Sequence, residues 1–136
     1  MPAGVCAGPM ERMLGDLAAA PGRRLLDVGC GTGTLARSAA DQGWRVTAVD
    51  AAPDMVAMTL AEVDGAASVL QASVPHLPFP DSCFDAVVAN FVVNHLPDPR
   101  GGVCELARLL APGGLLAVTT WTSRPSVQAQ LFADAL

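Results

Sequence analysis

Apolar and polar positions fall in blocks along this chain, and the blocks change period. Residues 23–29 (RRLLDVG) are a short apolar run that stops at a glycine, which predicts a buried strand. Residues 34–43 (TLARSAADQG) place small and apolar residues at helical spacing and end on Gly43. A second strand follows in WRVTAVD. A second helix is expected in APDMVAMTLAEVDG, with Pro53 and Asp54 in its first turn and Met55, Thr59, Leu60 and Val63 on one face. ASVLQAS predicts a third strand. VPHLPFPDSC, with three prolines, predicts a loop. FDAVVANFVV is apolar on both faces, as a central parallel strand should be. GGVCELARLLAPGG predicts a helix with a sharp Pro-Gly-Gly exit, LLAVTTW a fifth strand, and RPSVQAQLFADAL a last helix. Residues 10–20 (MERMLGDLAAA) predict a short helix before all of these.

Strand and helix alternate with short connections, so the fold class is α/β: a parallel sheet with helices on both faces. The 136 residues make one domain. It has an N-terminal helix or lid over 1–22, a core over 23–121 and a final helix over 122–136.

Composition narrows the partners. The hydrophobic share of 51% against 15% charged residues suits a folded chain with a large core. A net charge of −5 and the lack of any basic run argue against nucleic acid. All eight basic residues are arginines, which excludes a Schiff-base lysine and a phosphate-loop lysine. Cys6, Cys30, Cys83 and Cys104 are scattered and form no C-x-x-C pair, so free thiols in a reducing, cytoplasmic setting are expected. No signal peptide and no apolar run of membrane-spanning length is seen. Two histidines and these cysteines have no metal-ligand spacing, and no metal is expected.

The chemistry concentrates in LLDVGCGTG, residues 25–33. A glycine turn between a strand and a helix admits a ligand close to the backbone and aims the helix N-terminus at it. The dinucleotide fingerprint G-x-G-x-x-G is met by Gly29 and Gly31, but its third position holds Thr34 and the third glycine comes early, at Gly33. Asp27 stands two residues before the first glycine. A carboxylate there suits an ammonium and a sulfonium better than a pyrophosphate. Asp50 ends the second strand, and an ionised carboxylate accepts both hydroxyls of a ribose.

Together, LLDVGCGTG, VTAVDAAPDMV, LPFPDSCFDAVVANFVVNHLPDP and LLAPGGLLAVTTW resemble the small-molecule class I S-adenosylmethionine-dependent methyltransferases over about residues 23–121. The resemblance implies a Rossmann-like, doubly wound, mostly parallel five-stranded sheet of order 3-2-1-4-5, short of the family's usual seven strands. It implies S-adenosyl-L-methionine as cofactor and a small-molecule methyl acceptor. By resemblance Asp27, Gly29, Cys30 and Gly31 line the methionine end, Asp50 holds the ribose, Ala51 and Met55 pack on the adenine, and the Asn90 backbone contacts the methionine amino group. Ser73 and Val74 stand at the adenine edge, with Ser73 at a position where the family commonly has an acid.

His95, just after the fourth strand, is the candidate base for an acceptor proton. The alternative is a histidine that only bonds within its loop. Asp27 has its own alternative as a brace for the turn. Asp81 and Asp85 are assigned to the turn entering the fourth strand, and His76 to a structural or solvent-facing place. Two rival functions remain at this point: a non-catalytic relative that binds a cofactor or a partner, and a nicotinamide oxidoreductase. The apolar fifth strand, if it is an edge, predicts self-association there or through the last helix.

Overall fold

The computed structural model describes residues 22–90, 92, 96–121 and 127–133. Among these residues the elements are, in chain order, β1 (Arg24–Val28), α1 (Thr34–Asp41), β2 (Arg45–Asp50), α2 (Pro53–Val63), β3 (Ala67–Gln71), β4 (Phe84–Asn90), α3 (Pro99–Arg108), β5 (Leu110–Trp121) and β6 (Val127–Ala133). The N-terminal helix expected over 10–20 lies outside the described residues.

Five strands run parallel in the order β3-β2-β1-β4-β5, as expected. The sheet is apolar on both sides because both sides are covered. Leu25, Val46, Ala48, Ala86 and Val88 pack under α1 and α2, which contribute Leu35, Ala36, Ala39 and Val63. Leu26, Val28, Val49, Val87 and Ala89 pack on the other face with Leu106 of α3 and Leu77 of the proline loop. Residues Ala86 to Ala89 of β4 are all fully buried, which is why that run shows no alternation.

Three expectations change. The segment expected as a last helix is strand β6, antiparallel to β5 from Leu115↔Ala133 to Trp121↔Val127. Its sequence alternates Val127, Ala129 and Leu131 with Gln128 and Gln130, a two-residue repeat that fits a strand as well as a helix. A row of unpaired β5 backbone groups lies beside it, and pairing satisfies both. The β5 edge is therefore covered, and self-association through that edge or through a final helix loses its premise. Second, the Pro-Gly-Gly exit does not end the helix, because α3 stops earlier, at Arg108, and the Pro-Gly-Gly bulges inside β5: Phe84 pairs with Leu110, but Ala86 pairs with Leu115. Third, Leu60 does not share the buried face of α2. Thr59 and Val63 are buried, while Leu60 is 51% exposed. No helix among the described residues is long and apolar enough to cross a membrane.

The neighbours of β1 are β2, reached through α1, and β4, reached after β3. The winding reverses between β1 and β4, and the crevice at their C-terminal ends is where such sheets bind ligands.

Candidate functional site

The glycine turn leaves β1 at that crevice. Its backbone is tied to β2: the Gly29 and Cys30 N–H groups both donate to the Val49 carbonyl, at 2.8 and 2.9 Å. Gly31 has φ +57°, a conformation that disfavours a side chain, and a Cβ built there meets nothing within 4 Å. Gly33 differs. A Cβ there would lie 2.9 Å from Thr59 Cα and 3.2 Å from Glu62 Cβ, so its glycine lets α1 start hard against α2. Gly31 thus faces open space and Gly33 is packed.

Asp50 closes the turn from β2. Its Oδ2 accepts from the Gly31 N–H at 3.0 Å and its Oδ1 from the Ala52 N–H at 2.9 Å. Each oxygen keeps a further lone pair. Ala51 is exposed beside it, its carbonyl accepting from Gln71 Nε2 at 3.0 Å, and Met55 is half-buried on the first turns of α2.

Asp27 is the anomaly. It lies on the same face of β1 as Leu25, between Ala48 and Val88 on the flanking strands, and is 1% exposed. Its Oδ2 is buried with no hydrogen-bond partner among the described residues. Burial, and secondarily the charge of Asp50, push its pKa up to about 7. A lone buried carboxylate is strongly unfavourable, and a cation placed against it would relieve that.

The other expected residues divide. The Cys30 side chain is in the core under α1, with its thiol beside the Thr59 hydroxyl, and burial pushes its pKa up to about 11. Only its backbone is free to face a ligand. Ser73 is exposed at the head of the proline loop and Val74 is buried next to it; there the His76 N–H donates to the Ser73 carbonyl. Asn90 is the last residue of β4, in register with Thr119. His95 lies outside the described residues. Asp85 and Asp81 are away from the crevice, both paired with arginines. Sequence reasoning passed over Thr59, read only as part of an apolar helix face. It is fully buried, and its hydroxyl donates to the Gly31 carbonyl at 2.8 Å.

A strand, a glycine turn, two acids at the turn and the order 3-2-1-4-5 are now together. The family model described as a methyltransferase domain matches residues 26–118. The chain belongs to that methyltransferase family. Curated relatives are similar. Malonyl-[acyl-carrier protein] O-methyltransferase of Serratia marcescens is 36% identical over 110 residues, covering 81% of this chain and 43% of that protein. Ubiquinone biosynthesis O-methyltransferase of Xanthomonas oryzae pv. oryzae is 40% identical over 111 residues, covering 77% and 46%. Among solved structures, a SAM dependent methyltransferase from Aquifex aeolicus superposes with a TM-score of 0.77 at 25% identity, covering 90% of this chain and 69% of that one. The chain spans under half the length of these two curated relatives. The methyltransferase cofactor is S-adenosylmethionine, and the crevice residues can be tested against it.

Proposed function

We propose that this domain binds S-adenosylmethionine across the ends of β1 and β2 and presents its methyl group to the oxygen of a small-molecule acceptor. The observation that carries this reading is the buried, unpartnered Oδ2 of Asp27 beside an Asp50 already oriented by two backbone N–H groups. The residues present fit the cofactor. Asp27 would take the cationic methionine end. Asp50, with one lone pair left on each oxygen, would take the vicinal ribose hydroxyls. Ala51 and Met55 would cover the adenine, Ser73 and Val74 its edge, and the Asn90 backbone the amino group. Gly29, Gly31 and the Cys30 backbone would let the ligand close on the turn. A pyrophosphate at the same place would set negative charge against Asp27, which disfavours the nicotinamide reading.

When bound, the cofactor supplies an electrophilic methyl on a positively charged sulfur. The chain's own part is then to orient and to exclude water, holding an acceptor oxygen in line with that methyl. His95, five residues after the last residue of β4 in sequence, is proposed to take the acceptor's proton. Both curated relatives described above are named O-methyltransferases, which supports oxygen as the acceptor atom. One observation favours a second reading, a cofactor-binding relative without catalysis: Ser73 lacks the charge the family commonly has there.

Titration calorimetry with S-adenosylhomocysteine tests the first step. Saturable binding is expected, and Asp50→Ala should weaken it about 100-fold, since two hydrogen bonds to a charged group are lost. Absence of heat at any concentration would sink the proposal. Binding without methyl transfer to any phenolic or carboxylic acceptor would leave the second reading.

A further inference from the structure

Gly31 is held from both sides. Its N–H donates to Asp50 Oδ2 at 3.0 Å, and its carbonyl accepts from Thr59 Oγ1 at 2.8 Å. Thr59 is fully buried on α2, 28 residues along the chain. Its hydroxyl has one proton. The Gly31 carbonyl takes it, being the stronger acceptor at the shorter distance, while the Cys30 sulfur lies 3.2 Å from the same oxygen. The Thr59 methyl carbon serves packing instead. It lies where α1 begins, 3.1 Å from the position a Gly33 Cβ would take.

This arrangement answers a problem that the turn creates. Glycine at 31 permits φ +57°, but it removes the side chain that would otherwise restrict the backbone. The restraint must then come from outside the residue. The Gly31 N–H belongs to the Cys30–Gly31 peptide unit, which Asp50 holds at the N–H and the Gly33 N–H holds at the Cys30 carbonyl, at 3.0 Å each. The Gly31 carbonyl belongs to the next unit, Gly31–Thr32, and across the freely turning glycine torsions it is Thr59 that holds that unit.

We propose that Thr59 is a positioning residue for the cofactor: it holds the Gly31–Thr32 peptide unit while Asp50 and the Gly33 N–H hold the unit before it, which sets both torsions of Gly31 and so the course of the backbone on which the cofactor closes. The inference rests on the cofactor site proposed above. It gives α2 two functions, since the helix that carries Met55 also locks the turn.

The test uses Thr59→Ser and Thr59→Ala in the 136-residue chain. Both lose the methyl, and they differ by the hydroxyl alone. S-adenosylhomocysteine affinity for T59S should stay within about twofold of the parent, and T59A should bind about tenfold more weakly, the worth of one hydrogen bond. In the cofactor-free chain, the Gly31 amide should exchange with solvent faster in T59A than in T59S, while the Leu26 and Val87 amides match. Thr59→Val keeps the methyl and removes the hydroxyl, and should show the same tenfold loss even where T59A does not fold. Equal affinities for T59S and T59A, with only melting temperature changed, would make Thr59 a packing residue and overturn the proposal. If the parent binds no S-adenosylhomocysteine, the cofactor site itself fails, and the Gly31 exchange comparison still decides whether the clamp exists.

Discussion

The two ends of the β1–β4 pair treat the same residue type in opposite ways. At the foot of the sheet, Asp85 accepts from the Arg24 backbone N–H at 2.8 Å and from its guanidinium at 3.2 and 3.3 Å. Those bonds hold the Asp85 carboxyl below its ordinary pKa. Nearby, Arg108 donates to Glu105 at 2.8 Å, to Asp81 at 2.7 Å and to the Phe79 carbonyl at 3.0 Å, which ties the proline loop to α3. At the head of the sheet, Asp27 is buried with one oxygen unpartnered and its pKa pushed up to about 7. Charges at the foot are matched within the chain and build the fold. At the head, the Asp27 Oδ2 has no hydrogen-bond partner among the described residues, and the proposed cofactor site rests on that.

Between the two ends, the larger expected departure comes from Asp27→Asn. It should weaken S-adenosylhomocysteine binding by about 30-fold or more, through loss of a buried charge-assisted contact. It should also stabilise the free chain above neutral pH. A carboxyl whose pKa is raised on folding stabilises most below its unfolded value of 3.8 and loses that stability as pH rises through about 7. The parent's melting temperature should therefore climb as pH falls from about 8 toward 4. Below that range it should drop, as Asp85 and Glu105, both held below their ordinary pKa by arginines, take up protons. In D27N the climb should vanish and the acid drop remain. A climb that persists in D27N would assign the titration to another group and break the contrast between the two ends.

Asp85→Ala should do the converse. The Arg24 side chain is 42% exposed, so screening limits the ion pair, and the expected loss is about 1–2 kcal/mol of stability, with S-adenosylhomocysteine affinity unchanged in the folded fraction. An affinity loss beyond twofold would show that the foot and the head are coupled.

The smallest effect is expected from Ser73→Asp. It restores an acid at the adenine edge, and should tighten binding by about three- to fivefold, as a solvent-screened charge-assisted contact allows. No change would place the adenine edge elsewhere than Ser73.

Much of the site is legible in the sequence because its signals are local. The period change at Gly29 marks the end of a strand, and the early third glycine separates this turn from a dinucleotide loop. Asp27 and Asp50 follow from their places at the ends of two strands. Asp81 lies in the turn before β4, as expected, and pairs with Arg108, whereas Asp85 is inside β4 and pairs with Arg24 of β1. Other features depend on what lies across the fold. Cys30 sits within the motif, yet its thiol is in the core, because the turn that exposes Gly31 rotates its neighbour inward. Leu60 fits the helical stripe but points away from the core, although Thr59 and Val63 on either side of it are buried.

The sequence by itself determined the parallel α/β order, the glycine turn and the two acids, since periodicity and strand-end position are properties of neighbouring residues. Only the tertiary structure decided that residues 127–133 form a strand, because their pattern suits either period and the open backbone of β5 selects one. It alone showed the Asp27 Oδ2 to be unpartnered among the described residues and Thr59 to hold the Gly31 carbonyl. Burial and hydrogen-bond completeness belong to what surrounds a residue in space, and that is set by strands and helices far away in sequence.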